Sequence, residues 1–277
     1  MRLGCQRSLM MNYNIASLSD IVNDIEYCVN NSKPFSLIRF GDGGLKLIER
    51  YYNGDSLKSI SDKEGIPLNF FDELISGWRK VANEANYIDS PLFYMGDDIF
   101  SKRNKVSTKT KHLMAKWEEI YGKIGFTNPN ICNSEIGFML FTENAKANIV
   151  DLLGFHDVCC ITNFSQAKEI LLPYVDQVTL KLIPGFYGGF YNTCYESLVA
   201  EIKEEATKYK IWLVGAGELG RLLTGLIKEY GGIAIDIGKV FDVWVNRKIN
   251  KRMRNILRIS KNHRLMFTIG DPNETIN

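Results

Sequence analysis

The chain has 277 residues, enough for one large domain or two small ones with a sizeable core. A formal charge of +2 leaves no overall field to draw nucleic acid, so partners have to be argued locally. Six scattered cysteines with no CxxC pair favour a reduced compartment, and three histidines, His112, His156 and His263, give little material for a His-centred triad or a zinc site. The opening MRLGCQRSLMM lacks an apolar region long enough for export, and no segment approaches the ~20 apolar residues of a membrane span. The expected location is the cytoplasm or the inner face of a membrane.

Residues 15–30 carry Ile15, Leu18, Ile21, Val22, Ile25 and Val29 at helical spacing, with Ser17 or Ser19 as caps. This helix leads to a strand at 35–40, a turn rich in glycine and a second helix. A further helix is expected over 66–88, with Pro67 near its start, and a strand over 91–95 that stops at Gly96-Asp97-Asp98. A basic stretch at 101–111 precedes a helix at 112–122, a strand at 129–132 and a helix at 142–153. Strands at 157–162, 177–183, 211–214 and 233–238 then alternate with helices at 165–172, 192–208 and from the glycine turn to about 230.

Strands alternating with helices predict an α/β fold, Rossmann-like, with a mainly parallel sheet covered by helices on both faces. A single domain over 1–277 is expected, with its core at about 25–245 and a basic helix at about 245–264. In such sheets ligands gather beyond the carboxyl ends of the strands. That rule selects Arg39 to Gly44, Gly96 to Asp98, Asn163, Pro184 to Phe190, Gly215 to Gly220 and Asp236 to Gly238.

Two of these stretches carry chemistry. In Arg39-Phe-Gly41-Asp42-Gly43-Gly44 a guanidinium able to pair with phosphate stands beside a carboxylate able to hold Mg²⁺ or Mn²⁺. Asp42 is equally suited to capping the next helix through the amide of residue 44 or 45. In Gly215-Ala-Gly217-Glu-Leu-Gly220 the amides and the positive helix end suit a phosphate, and Asp236 lies at the distance where dinucleotide folds bind a ribose hydroxyl. The same glycines also suit tight packing of helix on sheet. Only about forty residues follow Asp236, so a mononucleotide or nucleotide-sugar fits the remaining chain more easily than a dinucleotide. Tyr187, Phe190 and Tyr191 suit either an aromatic wall for a base or sugar, or packing beneath a loop.

The stretches IRFGDGGLKLI and IWLVGAGELGRLLTGLIKEYGGIAIDIG together resemble the bacterial GT-D-type glycosyltransferase family, once a domain of unknown function. Its members typically show Arg-Phe-Gly-Asp-Gly-Glu near the start, and a glycine-bearing turn followed by Ala-Ile-Asp-Ile-Gly near the end. The resemblance implies a hexosyltransferase that moves a sugar from a nucleotide-sugar, with a UDP-sugar as the expected donor. The implied acceptor is a glycan or glycoprotein in bacterial surface polysaccharide assembly or protein glycosylation. It implies a divalent cation, Mn²⁺ or Mg²⁺, at Asp42; joined to the strand-end rule, it makes Arg39, Gly41, Asp42, Gly43, Asn163, Gly215, Gly217, Gly220 and Asp236 the expected donor contacts. Asp42 and Asp98 are the catalytic candidates.

The chain departs from that pattern at Gly44, where the family carries the glutamate of an Asp-x-Glu pair, and at Lys239, where many members place a histidine. Glu49, five positions on from Gly44, points well away on a helix, so local rescue is not expected. Three alternatives remain: Asp42 with a pyrophosphate and waters completes the shell, Asp97, Asp98 or Glu135 approaches from another strand end, or the chain is a degenerate, non-catalytic homologue. A dehydrogenase using the glycine turn with NAD(P) is a competing reading. Val245, Ile249, Met253 and Ile256 share a face on the basic helix, which suits anionic lipid or docking on the sheet.

Overall fold

A computed structural model of the chain describes residues 13–90, 118–133, 136–141, 149–154, 156–185 and 189–246. In chain order these form β1 (Asn14–Ile15), α1 (Leu18–Asn31), β2 (Phe35–Ile38), α2 (Gly41–Asn53), α3 (Lys58–Glu64), α4 (Phe71–Glu84) and β3 (Tyr87–Ser90). A helix described over 118–124, α5, leads to β4 (Asn130–Asn133), α6 (Ile136–Met139), α7 (Val150–Leu153) and β5 (Asp157–Thr162). Then come α8 (Ala167–Leu171), β6 (Gln177–Leu182), α9 (Glu196–Glu205), β7 (Ile211–Val214), α10 (Gly220–Glu229), β8 (Ile233–Asp236) and α11 (Val240–Asn246).

The eight strands form one sheet in the order β1-β4-β3-β2-β8-β7-β5-β6, and every pairing is parallel. Parallel strands need crossovers, and right-handed crossovers place their helices according to the direction of travel across the sheet. The steps β2 to β3, β3 to β4, β6 to β7 and β7 to β8 run one way, and α2 to α5, α9 and α10 pack on one face. The steps β1 to β2, β4 to β5 and β5 to β6 run the other way, and α1 and α6 to α8 pack on the opposite face, where α11 joins them.

Both faces are buried, so the central strands are continuously apolar and split their side chains between two cores. In β7, Ile211 and Leu213 enter one core while Trp212 and Val214 enter the other. The helix after β2 and the helix after β8 lie on opposite faces, which opens a crevice at the carboxyl ends of these neighbouring strands.

The boundaries differ from the sequence reading in several places. The expected helix over 66–88 is a 3₁₀ turn at Leu68–Phe70 followed by α4, which stops at Glu84. The expected strand after it begins earlier, at Tyr87, because Ile88 and Asp89 pair with β4. The helix expected over 192–208 opens with a π-helical turn at Tyr191–Tyr195 and ends at Glu205. Ser17 caps α1 through a reciprocal box with Asp20. Most of the expected basic helix at 245–264 lies outside the described residues, as do 91–95 and 142–148.

Candidate functional site

β2 ends at Ile38, and the two residues that follow are gripped from both neighbouring strands. The Phe40 amide donates to Asp89 Oδ1 of β3 at 2.6 Å, and the Arg39 amide meets Asp236 Oδ2 of β8 at 3.4 Å. Asp236 Oδ1 also accepts the Gly238 amide at 3.0 Å. The Arg39 side chain lies in the crevice, with Nη1 donating to the Ile237 carbonyl at 2.9 Å and Nε 3.7 Å from Asp89 Oδ2. Gly238 has φ +52°, a backbone that favours glycine, and a Cβ there would stand 2.4 Å from Arg39 Nη1 and displace that end of the guanidinium.

Burial dominates the electrostatics. Desolvation pushes the Asp89 carboxyl up to about 6, against the lowering effects of Arg39 and the Phe40 amide. Burial also raises Asp236, opposed by Arg39 and Arg221. Asp89 Oδ2 is buried without a hydrogen bond and has the Arg39 charge as its near partner.

The turn between β7 and α10 reaches into the same place. Arg221, 6% exposed, donates from Nε to the Arg39 carbonyl at 2.7 Å, from Nη2 to the Phe40 carbonyl at 2.6 Å and from Nη1 to Glu218 Oε2 at 2.5 Å. Its guanidinium lies 4.5 Å from the Trp78 ring centroid and 5.3 Å from that of Phe40, in cation–π range of both. The Trp78 indole donates to the Glu218 carbonyl at 3.1 Å, which fixes the backbone of the turn. One buried arginine therefore ties the two glycine turns together.

Of the residues singled out from sequence, the structure gathers Arg39, Gly43, Asp236 and the turn from Gly215 to Gly220 around one crevice. Gly41 opens α2 with φ +51°, and Asp42 takes the second position of that helix. Asp42 is not the cap: Phe40 holds that position without a side-chain cap, and the Gly44 amide bonds the Phe40 carbonyl. The Asp42 side chain, Asp97, Asp98, Glu135 and Tyr187 lie outside what the structure describes.

The amides of Gly215 and Gly220 are spent on the carbonyls of Ile161 and Ala216, so an anion at this turn would use the amides of 216–219. Asp236, expected at a ribose, is 5% exposed and holds two backbone amides instead. Asn163 lies beside Gly185, with Nδ2 3.6 Å from where a Cβ would stand. Phe190 is buried, and Tyr191 packs on Phe70 and Tyr195 with centroid separations of 4.6 and 5.3 Å, which is the packing alternative.

Asp89, Glu218 and Arg221 were not singled out from sequence. Asp89 lies in β3, whose first residues fall within the span where the sequence predicts a helix, 66–88. Arg221 and Glu218 were legible only as polar residues flanking the last glycine of the motif.

The implied cation can be tested against this geometry. A Cβ at Gly44 would stand 2.7 Å from Arg221 Nη2, and one at Gly43 would stand 2.9 Å from Glu218 Oε1. The space over the turn is therefore filled by the Glu218–Arg221 pair, and a carboxylate oxygen lies where residue 43 has no side chain. Oxygen ligands of this type suit Mg²⁺ or Mn²⁺. Among the described residues no group of three His, Cys, Asp or Glu converges, so such a cation would complete its shell with phosphate and water.

No family model and no curated protein matches the chain. Solved structures do. A glycosyltransferase (DUF1792) from Streptococcus sanguinis superposes with a TM-score of 0.55 at 15% identity, covering 84% of each chain. A selenomethionine-substituted structure of the domain of unknown function 1792 gives 0.53 at 16% identity, covering 84% of this chain and 82% of that one. A third, described as a highly conserved domain of unknown function 1792 with a distinct glycosyltransferase fold, gives 0.51 at 15%, with coverage of 84% and 82%. The chain is a mixed α/β protein with the fold of these glycosyltransferase structures.

Proposed function

We propose that the chain is a glycosyltransferase that takes a hexose from a nucleotide-sugar, with a UDP-sugar as donor, and places it on a glycan or glycoprotein of a bacterial surface. The observation that carries this reading is the convergence of Arg39 and the amino end of α10 on one crevice beside β8, in a fold like that of solved glycosyltransferases. Sugar transfer requires the charge of the departing diphosphate to be stabilised, and a fixed guanidinium and a helix amino end are suited to that task. Arg39 is held at its backbone by Asp236 and alongside by Asp89, so its position is set before the donor arrives. A divalent cation, when bound, would neutralise part of the diphosphate charge, with Asp42 as a candidate ligand. The acceptor-side base is assigned to Asp42 or Asp98, since Asp236 is engaged by backbone.

The dinucleotide reading loses ground on one observation: the carboxylate it needs for a ribose is spent on the amides of Arg39 and Gly238. Work at the inner face of a membrane, through the basic segment after Asn246, belongs to the same proposal. No described helix is long and apolar enough to cross a membrane. Calorimetric titration with UDP, UDP-glucose, UDP-galactose, GDP and NADH, each with and without Mn²⁺, tests the reading. UDP or a UDP-sugar should bind, and Arg39→Ala should weaken it at least tenfold. NADH binding alone would replace the reading with a dehydrogenase, and UDP binding without turnover of any UDP-sugar would mark a non-catalytic homologue.

A further inference from the structure

β1 and β6 close the two ends of the sheet, and the two edges differ. β1 is two residues long, and its Asn14 side chain is tied to Asn130. β6 is six residues long, holds neither proline nor glycine, and pairs along its whole length with β5. Among the described residues no strand flanks its other side. The Ile183 amide donates to the Thr162 carbonyl at 3.0 Å, which fixes the direction of the backbone groups along the strand. They alternate, so the odd residues face β5, while the N–H and C=O of Val178, Leu180 and Leu182 point out from the sheet. No described residue hydrogen-bonds these outward groups.

A lysine charge commonly guards such an edge. Lys181 is turned instead onto the α9 face, where Glu201 at 2.5 Å and Glu205 at 2.7 Å neutralise it. Apolar surface is left at both ends of the strand. Leu182, 56% exposed, lies at the carboxyl end, and Leu172, 43% exposed, lies in the 3₁₀ turn that leads into the amino end. By the same alternation Leu182 shares a face with Val178 and Leu180, the face on which α8 packs.

We infer that β6 is a self-association edge, to which a second copy of this chain adds its own β6 antiparallel, about a two-fold axis through Leu180. A two-fold normal to the sheet reverses the strand and keeps its faces, so even residues stand opposite even residues. Leu180 meets Leu180 of the second copy, Val178 meets Leu182 of the second copy, and each pair exchanges two backbone hydrogen bonds. Every outward donor and acceptor of β6 thereby finds its match in the same strand of the other copy. The axis also carries each exposed Leu182 to the amino end of the other β6, where Val178 and Leu172 lie. A second copy is thus the occupant that the edge itself specifies, in hydrogen bonds and in apolar ends alike. Strands alone fall short of the ~800 Å² per partner that a stable interface takes, so α8 and the Leu172 turn contribute the rest. The inference stands apart from the transferase reading, since β6 is separated from the crevice by β5 and β7.

Sedimentation equilibrium of the full chain, joined to residue-level amide hydrogen exchange, tests it. Wild type should dimerise, and the amides of Val178, Leu180 and Leu182 should gain protection as concentration rises. Leu182→Pro removes one outward N–H and leaves in place the bonds to β5, which use odd residues. It should weaken dimerisation at least tenfold while circular dichroism shows a folded chain. Leu182→Lys sets a charge against Val178 of the second copy at an exposed position, and should have the same effect should the proline variant fail to fold. A wild type that stays monomeric overturns the inference. So does a dimer whose three edge amides exchange equally fast at every concentration, and so does a dimer that the folded variants leave intact.

Discussion

The two glycine turns of this protein look alike as letters and behave oppositely in space. The turn after β2 receives: Gly43 and Gly44 leave room that Glu218 and Arg221 occupy, while Gly41 takes a left-handed backbone with open space beside it. The turn after β7, with Gly215, Gly217 and Gly220, delivers: it sends Arg221 to the carbonyls of Arg39 and Phe40, 182 and 181 residues back in the chain. Glu218 and Arg221 fill the space beside Gly43 and Gly44, so the packing of one turn is explained by the side chains of the other.

The sharpest way to break this comparison is Arg221→Ala. It leaves two strand-end carbonyls and Glu218 without their buried donor, a class of change that costs roughly 3–5 kcal/mol. Urea unfolding should show that loss, and a change under about 1 kcal/mol would mean that the first turn stands without the second.

Asp89 tests how far the first turn depends on its other neighbour, β3. Burial pushes its carboxyl up to about 6 in the folded chain, from about 4 when unfolded. Between those values the folded chain holds a proton that the unfolded chain has released, so stability from this group falls as pH rises from about 4 to 6. The full fall is on the order of 3 kcal/mol. Asp89→Asn should remove it, and parallel stability curves for the two proteins from pH 4 to pH 7 would contradict the assignment.

Gly225→Ala addresses the approach of α10 itself. Its Cβ would stand 2.2 Å from Val81 Cγ1 on α4, and valine has little freedom to turn away. Overpacking of this kind costs about 1–3 kcal/mol, and it should weaken UDP binding by shifting the delivering turn. An unchanged melting temperature would show that the two helices can part at no cost. The smallest effect is expected at Ser17→Ala, on the opposite face of the sheet, which removes the α1 cap for about 1 kcal/mol. Its nucleotide response should match wild type, and a loss of binding there would mean that the site senses general stability rather than its own turns.

Much of the sheet was legible because periodicity is local. Val158 to Ile161 and Ile211 to Val214 are short apolar runs flanked by turn residues, and they are central strands. Arg39, Asp236 and the glycines were legible because turn chemistry at strand ends is also local. Asp89 was not, since the helix expected over 66–88 runs across the start of β3, which begins at Tyr87. Arg221 and Glu218 were not, because what defines them is a partner near the other end of the chain. Asp236 shows the limit from the other side: its spacing is that of a ribose ligand, and burial between Arg39 and Gly238 gives it a different task.

The pairing of β2 with β8 joins Phe35 to Ile233, so the first long strand to be synthesised waits for the last. A nascent chain can lay down α1 and β2 and pair β3 with β4, yet the centre of its sheet stays open until residues near 236 emerge. Parallel pairings of such sequence separation are slow to close, and the unfinished edge of β2 is exposed meanwhile. Completion of the fold therefore depends on the last strand: a chain that stops short of β8 lacks both a closed sheet and the Asp236 carboxylate that holds the Arg39 amide, and it presents a bare strand edge.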